Sequence, residues 1–355
     1  RTNPGGNQGG SGITSADSNR QANGCGARVT IVNVKVESGF NDGMISTQRG
    51  TDNPVGSHWR VVNNEMTGIS CGTTGGGTGN NSCKGAGVTG SGLGEYWVGN
   101  YVHDVYDLPG GGTDLENHGF YMDGVGSYEV AYNRIENIFG GNGIQTNSTS
   151  TPTTNNAVIH HNVIRNVAKF GINLATGTST GILIYNNVVS ESQESGFRIN
   201  SSNLDGAKVF NNTFYKVQLS SPNVVCNPSA IRNDDNLLAT AIEFLNNIVV
   251  LTHNGAYTCG SVGFGAVAAS FTNNLWFGST ATGTIVGTGP NSDPLFVSTT
   301  AGAENFRLSL GSPAIDTGTA AVAAIVTDDH DVATATLTQT TRPIGAGFDI
   351  GAFEH

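Results

Sequence analysis

The chain predicts an all-β solenoid, and three observations predict it. Eight asparagines recur along it, Asn64, Asn100, Asn133, Asn162, Asn187, Asn212, Asn247 and Asn274, at intervals of 36, 33, 29, 25, 25, 35 and 27 residues. Each stands three residues after one apolar residue (Val61, Trp97, Val130, Ile159, Ile184, Val209, Phe244, Phe271) and two before another (Met66, Val102, Ile135, Ile164, Val189, Phe214, Val249, Trp276). Charged residues are only 12 % of the chain while glycines number 51, a composition of many turns and short Val/Ile runs. A recurrence of this length marks a solenoid, in which each repeat buries its face only by stacking on its neighbours.

The elements follow in chain order. Residues 1–28 have the Gly/Asn-rich composition of a flexible tail, yet an ordered tail of this kind must pack against something, such as a neighbouring subunit or its own solenoid end. Residues 29–290 carry the repeats. In one repeat, the segment Ile182-Leu-Ile-Tyr-Asn-Asn-Val-Val189 reads as strand, corner, strand, with stacked asparagine amides satisfying backbone groups at the corner. A second series, Gly119-Phe-Tyr-Met-Asp, Gly143-Ile-Gln-Thr-Asn, Gly171-Ile-Asn-Leu-Ala, Gly196-Phe-Arg-Ile-Asn and Ala230-Ile-Arg-Asn-Asp, marks another strand of each coil. Period-two alternation turns Phe120, Ile144, Ile172, Phe197 and Ile231 inward. It turns Tyr121, Gln145, Asn173, Arg198 and Arg232 outward as one exposed column, with Asp123, Asn147, Ala175, Asn200 and Asp234 parallel to it.

The pattern resembles right-handed parallel β-helix proteins of the pectate-lyase-like kind. That likeness implies the handedness, about nine to eleven coils and a C-terminal β cap. Residues 291–355 carry Asp293-Pro-Leu-Phe-Val297, Phe306-Arg-Leu-Ser-Leu-Gly-Ser-Pro-Ala-Ile-Asp-Thr-Gly318 and Phe348-Asp-Ile-Gly-Ala-Phe-Glu354, and are similar to the choice-of-anchor module of secreted bacterial β-helix proteins. The resemblance implies an extracellular or cell-surface protein.

Five cysteines carry no metal-cage spacing. The best arithmetic is two loop-closing disulfides, from Cys71 and Cys83 and from Cys226 and Cys259, with Cys25 left over, in an oxidising compartment. A net charge of −11 excludes a general basic field for nucleic acid or anionic lipid. No apolar run is long enough to span a membrane. The chain opens at Arg1 with no initiator Met or signal peptide, as a processed protein would.

For chemistry, coils about 4.8 Å apart and residues about 3.3 Å apart along a strand form a grid. Asp123, Glu194 and Asp234 fall too far apart on it for any two to flank one glycosidic bond, which disfavours hydrolysis. Lys169 and Arg198 are the candidate catalytic residues of a lyase, but they are offset by four residues, and Lys169 lies over Glu194. Arg198 over Arg232 needs a nearby negative group. With Tyr121, Gln145 and Asn173 they form a candidate ligand strip for an acidic sugar chain. His103, Asp104, Asp107, Asp114, Glu116 and His118 lie in and around one insertion, where Asp104, Asp107, Asp114 and Glu116 are candidate Ca2+ ligands. By parity His118 is a core histidine. The expected function is a secreted structural or surface β-helix protein, self-associating into a fibre or sheath and carrying a glycan-contacting face. The alternative is a lyase or glycosidase acting on an acidic polysaccharide.

Overall fold

The structure, a computed structural model, describes residues 13–14, 28–37, 45–46, 58–69, 86–90, 94–106, 117–123, 127–148, 156–176, 178–200, 203–217, 219, 229–233, 242–251, 256–259, 270–278, 287–322 and 342–355. Among them, three parallel sheets of nine strands each build a β-solenoid. Each coil contributes one strand to each sheet. In one coil these are Ile144–Ser148 in the first sheet, Val158–His160 in the second and Val163–Val167 in the third.

The asparagine series forms a continuous ladder at the corner between the second and third sheets. The Nδ2 of Asn64, Asn100, Asn133, Asn162, Asn187, Asn212 and Asn247 each donates to the Oδ1 of the next asparagine at 2.9–3.1 Å. The second amide proton goes to a carbonyl one coil back, as in Asn162 Nδ2 to Val130 O at 2.8 Å. Each Oδ1 also accepts a backbone N–H from the preceding coil, as Asn162 Oδ1 does from Asn133 N at 3.0 Å. The amides are buried and bonded on both ends, the only arrangement in which so many polar side chains can line an interior without a desolvation cost. Val34 N begins the ladder by donating to Asn64 Oδ1, and Thr288 O ends it by accepting from Asn274 N. All sixteen flanking apolar residues are buried.

The residue before each ladder asparagine holds a left-handed backbone. It is Asn63, Gly99, Tyr132, His161, Asn186, Asn211, Asn246 or Asn273, with φ between 52° and 70°, and Asn33 before Val34 holds the same turn. Asparagine and glycine accept this conformation at little cost, which accounts for the Asn-Asn doublets; Tyr132 and His161 accept it at about 1–2 kcal/mol each.

Opposite the ladder runs a column of glycines, Gly87, Gly119, Gly143, Gly171 and Gly196, at the start of the first-sheet strands. A Cβ at Gly171 would come within 2.2 Å of Val189 and 2.6 Å of the Gly196 carbonyl; Gly87, Gly119 and Gly143 meet the same pair of obstacles, and Gly196 meets the Phe214 and Val217 side chains. The first and third sheets approach too closely there for any side chain.

The C-terminal module lies along the side of the solenoid. Leu308, Ala314 and Ile350 bury Tyr215, Ile248, Val250 and Leu275 on the outer face of the third sheet. The first asparagines of three doublets latch it. Asn211 Nδ2 donates to the Asp349 and Gly351 carbonyls, Asn246 exchanges two bonds with Thr319, and Asn273 donates to Thr317 O. Within the terminal FDIGAFE segment, Asp349 accepts from Asp316 N and His355 N, and Glu354 accepts from Ile344 N and Asp349 N. Its acidic residues therefore tie turns together. The expected cap thus covers a flank, and the coil end itself is closed by Gly287–Pro290, where Thr288 N bonds Phe271 O and Trp276 N bonds Pro290 O.

Cys25, Cys71, Cys83 and Cys226 lie outside the described residues, and Cys259 is placed only by its backbone register with Arg232. No helix among the described residues is long and apolar enough to cross a membrane.

Two substitutions test this account. Asn162→Ala strands Asn133 Nδ2 and Asn133 N without their acceptor and should cost about 2–5 kcal/mol in urea unfolding. Gly171→Ala should cost about 1–3 kcal/mol or more through overpacking. Neither should change the stability if the corner and the pinch are incidental.

Candidate functional site

The first-sheet column is in register as the alternation required: Tyr121, Gln145, Asn173, Arg198 and Arg232 are successive partners across neighbouring strands. It is less open than expected. Asn173 is only 2 % exposed and the other four are half-buried, so the column is a partly covered strip and not a solvated face.

What covers it is a second column, formed by the residue before each glycine: His118, Asn142, Phe170, Ser195 and, before Ala230, Ser229. All five are buried. Asn142 N donates to His118 Nδ1 at 3.0 Å, and Phe170 N donates to Asn142 Oδ1 at 3.1 Å. That second bond fixes the Asn142 amide, whose Nδ2 must then donate to Gln145 Oε1, at 2.5 Å. Asn173 Nδ2 donates to the same oxygen at 3.1 Å. The amide of Asn173 is thereby oriented too, and its Oδ1 has no donor among the described residues. At the upper end, Tyr121 stacks on His118 with centroids 5.6 Å apart and its hydroxyl accepts from Asn147 Nδ2.

At the lower end, both guanidinium groups lie over the Phe170 ring, Arg198 at 4.7 Å and Arg232 at 5.7 Å. Glu194 supplies the negative group the arginine pair requires: its Oε2 is 3.5 Å from Arg232 Nη1. The Lys169–Glu194 alignment is present in the backbone, where Glu194 N donates to Lys169 O at 3.0 Å. Asn173 aligns with Arg198, so Lys169 remains four residues from it along the strand, and the two do not converge. Phe170 and Asn142 were missed as site residues, and His118, expected as a core histidine, is buried as expected but also lines the strip. The signal available was their place immediately before a glycine, but their residue types differ from coil to coil.

His118 has its Nδ1 occupied as an acceptor and is neutral. Burial, with Lys169 nearby, pushes its pKa down to about 3.

Asp104, one of the proposed Ca2+ ligands, is committed elsewhere. It heads an outer ladder of left-handed residues on the third sheet, accepting from Asn137 Nδ2 at 2.9 Å while Asn137 Oδ1 accepts from Asn166 Nδ2 at 2.8 Å. Its other oxygen is 2.8 Å from His103 Nδ1. Partial burial alone would raise this carboxyl, but the bonds from His103 and Asn137 outweigh it and hold it below the usual range. Asp107, Asp114 and Glu116 lie outside the described residues, and among the described residues no group of three or more His, Cys, Asp or Glu is placed to hold a metal.

No protein-family model matches this chain, and no curated protein matches it either.

His118 makes the solenoid acid-sensitive in a defined direction. Its folded pKa lies below the unfolded value near 6.5, so the unfolded chain binds more protons between the two and stability falls as pH drops through that window. The loss approaches about 1.4 kcal/mol per pH unit below about 6. His118→Gln, which keeps an acceptor for Asn142 N, should flatten this slope. Urea midpoints of both proteins at about pH 7 and about pH 5 check it, and equal slopes would contradict a neutral buried imidazole.

Proposed function

We propose that this chain is a secreted surface protein: a rigid, non-catalytic β-solenoid rod whose first sheet contacts an acidic glycan. The observation that carries the reading is the pair Arg198 and Arg232, held on successive rungs over the one Phe170 ring, with Glu194 beside Arg232. Two guanidinium groups fixed side by side gather positive charge at one place on a chain of net charge −11. A sugar carboxylate offers the planar, bidentate acceptor that guanidinium prefers. Gln145, with its Oε1 doubly bonded inside, has its amide N–H groups to offer, and Tyr121 supplies a ring for a sugar face.

The alternative, a lyase or glycosidase, is opposed by the registers. Asp123 aligns with Asn147 and Ala175, three coils from Glu194 and offset from it along the strand, too far to flank one bond. Lys169 and Arg198 stand about 13 Å apart along the strand, outside reach of one proton. The likeness of the C-terminal words to choice-of-anchor modules supports the extracellular setting. If the rod self-associates, stacking through its last coil is opposed by Thr288, whose carbonyl already takes the Asn274 backbone N–H; the opposite end and the flanks are the surfaces that remain.

Isothermal titration with polygalacturonate and alginate oligosaccharides tests the strip. Arg198→Ala should weaken binding about 10-fold or more, with no unsaturated or reducing-end products from either protein. Glycan breakdown by the unaltered chain, or undiminished binding by the variant, overturns the reading.

A further inference from the structure

The first-sheet strip carries its charge unevenly along the rod. Its rungs are the strands His118–Asp123, Ile144–Ser148, Ile172–Thr176, Phe197–Ile199 and Ser229–Asn233, paired in that order and in parallel register. The first three contain no lysine or arginine, and the one acidic residue in them is Asp123, two places beyond Tyr121. The last two contain one arginine each, Arg198 and Arg232, and both guanidinium groups lie over Phe170. The flanking columns keep this pattern. On one side His118 and Asn142 are buried, and burial holds His118 uncharged at neutral pH. On the other, Asn147 and Ala175 follow Asp123 in register. Upstream of the third rung stands Lys169, whose charge bears on His118 and whose carbonyl takes the Glu194 N–H. It is four residues before Asn173, about 13 Å along the strand.

Rung spacing limits what a ligand laid along this strip can satisfy. Parallel strands stand about 4.7–4.9 Å apart, and a 1,4-linked pyranose advances a glycan by about one such step, so each rung receives about one sugar. A carboxylate over Arg198 and Arg232 meets planar donor forks. One over Gln145 is two rungs from Arg198, about 10 Å, and one over Tyr121 is three rungs away, about 14 Å. At those separations the arginines are out of hydrogen-bond reach and their field is screened at ordinary salt. The chain as a whole, at net charge −11, repels the added anion. What the upper rungs present is neutral. Gln145 Oε1 takes both Asn142 Nδ2 and Asn173 Nδ2, which turns the amide hydrogens of Gln145 away from that network. Donors of this kind suit the hydroxyl and ring oxygens of an uncharged sugar.

Resting on the glycan reading above, we propose that the strip selects a mixed glycan: neutral sugars over Tyr121, Gln145 and Asn173, with the acidic sugar confined to the Arg198 and Arg232 end. A polyuronate, charged on every sugar, is the poorer ligand, because its carboxylates over the first three rungs meet no cation in the strip. The selection also has a direction, since the acidic end of the bound glycan lies toward the C-terminal coils.

Isothermal titration of the intact chain with tetrasaccharides decides it. The ligands are tetragalacturonate and a neutral hexose trimer extended by a single hexuronate, placed at the reducing end or at the non-reducing end. One of the two single-acid ligands should bind about 3-fold tighter or more than tetragalacturonate, and Arg198→Ala should weaken both. Ala175→Lys sets a cation beside the third rung and should narrow that gap by improving tetragalacturonate alone; if this variant does not fold, the ranking by the unaltered chain decides. Tetragalacturonate binding as tightly as the better single-acid ligand, with both weakened by Arg198→Ala, would overturn the charge pattern and leave the glycan reading standing. No binding of any of the ligands, or binding indifferent to Arg198→Ala, overturns the glycan reading and this proposal with it.

Discussion

Everything else in this rod depends on the buried amide of one asparagine per coil. An amide has two donors and an oxygen with two lone pairs, and the six ladder asparagines from Asn100 to Asn247 use all of them, along the axis and into the backbone of both neighbouring coils. Because Nδ2 must meet both a carbonyl one coil back and an Oδ1 one coil forward, the ladder fixes the axial rise and the rotational phase of each coil at once. A one-residue slip would turn an amide outward and drive a polar residue into the apolar bore. Spacing between ladder positions is free to vary, as intervals from 25 to 36 residues show, because the same amide bond closes over the shortest and the longest of them.

That phase decides where the outward side chains stand. Once the corner is locked, the glycine column opposite it lets the first sheet press against the third, and the residue before each glycine is pulled under the sheet edge. His118, Asn142 and Phe170 are buried for this reason. Their bonds then orient Gln145 and Asn173, so the strip is built on the ladder through two intermediate layers. The same doublets that shape the corner also hold the C-terminal module: the second asparagine of Asn211-Asn212, Asn246-Asn247 and Asn273-Asn274 faces the bore, and the first adopts the left-handed turn and bonds the module's backbone.

The repeat, its apolar flanks and the register of the strip were legible in the sequence because each is a periodic property of the chain. What was not legible is aperiodic. Asn173 reads as an exposed residue by alternation, yet it is covered, because Gln145 above it is anchored to Asn142 in another column. Asp104 reads as a metal ligand by composition, but it heads an outer ladder whose members, Asn137 and Asn166, are recognised only when their left-handed backbone is seen. The flank docking of the module depends on contacts between residues more than a hundred positions apart, such as Asn211 with Asp349, which no local pattern encodes.

The amide ladder and the hydrocarbon packed against it do not titrate, so that part of the scaffold is indifferent to pH. Sensitivity sits where a titratable group enters a bonded network, as the carboxyl of Asp349, pushed up to about 6 by burial, does in the C-terminal module. His118 does so as well, beside Asn142: its Nδ1 accepts a backbone N–H just as Asn142 Oδ1 does one coil on, so at neutral pH the replacement of amide by ring is silent. A backbone N–H cannot reverse, so in acid His118 must lose that bond to take a proton, which costs stability.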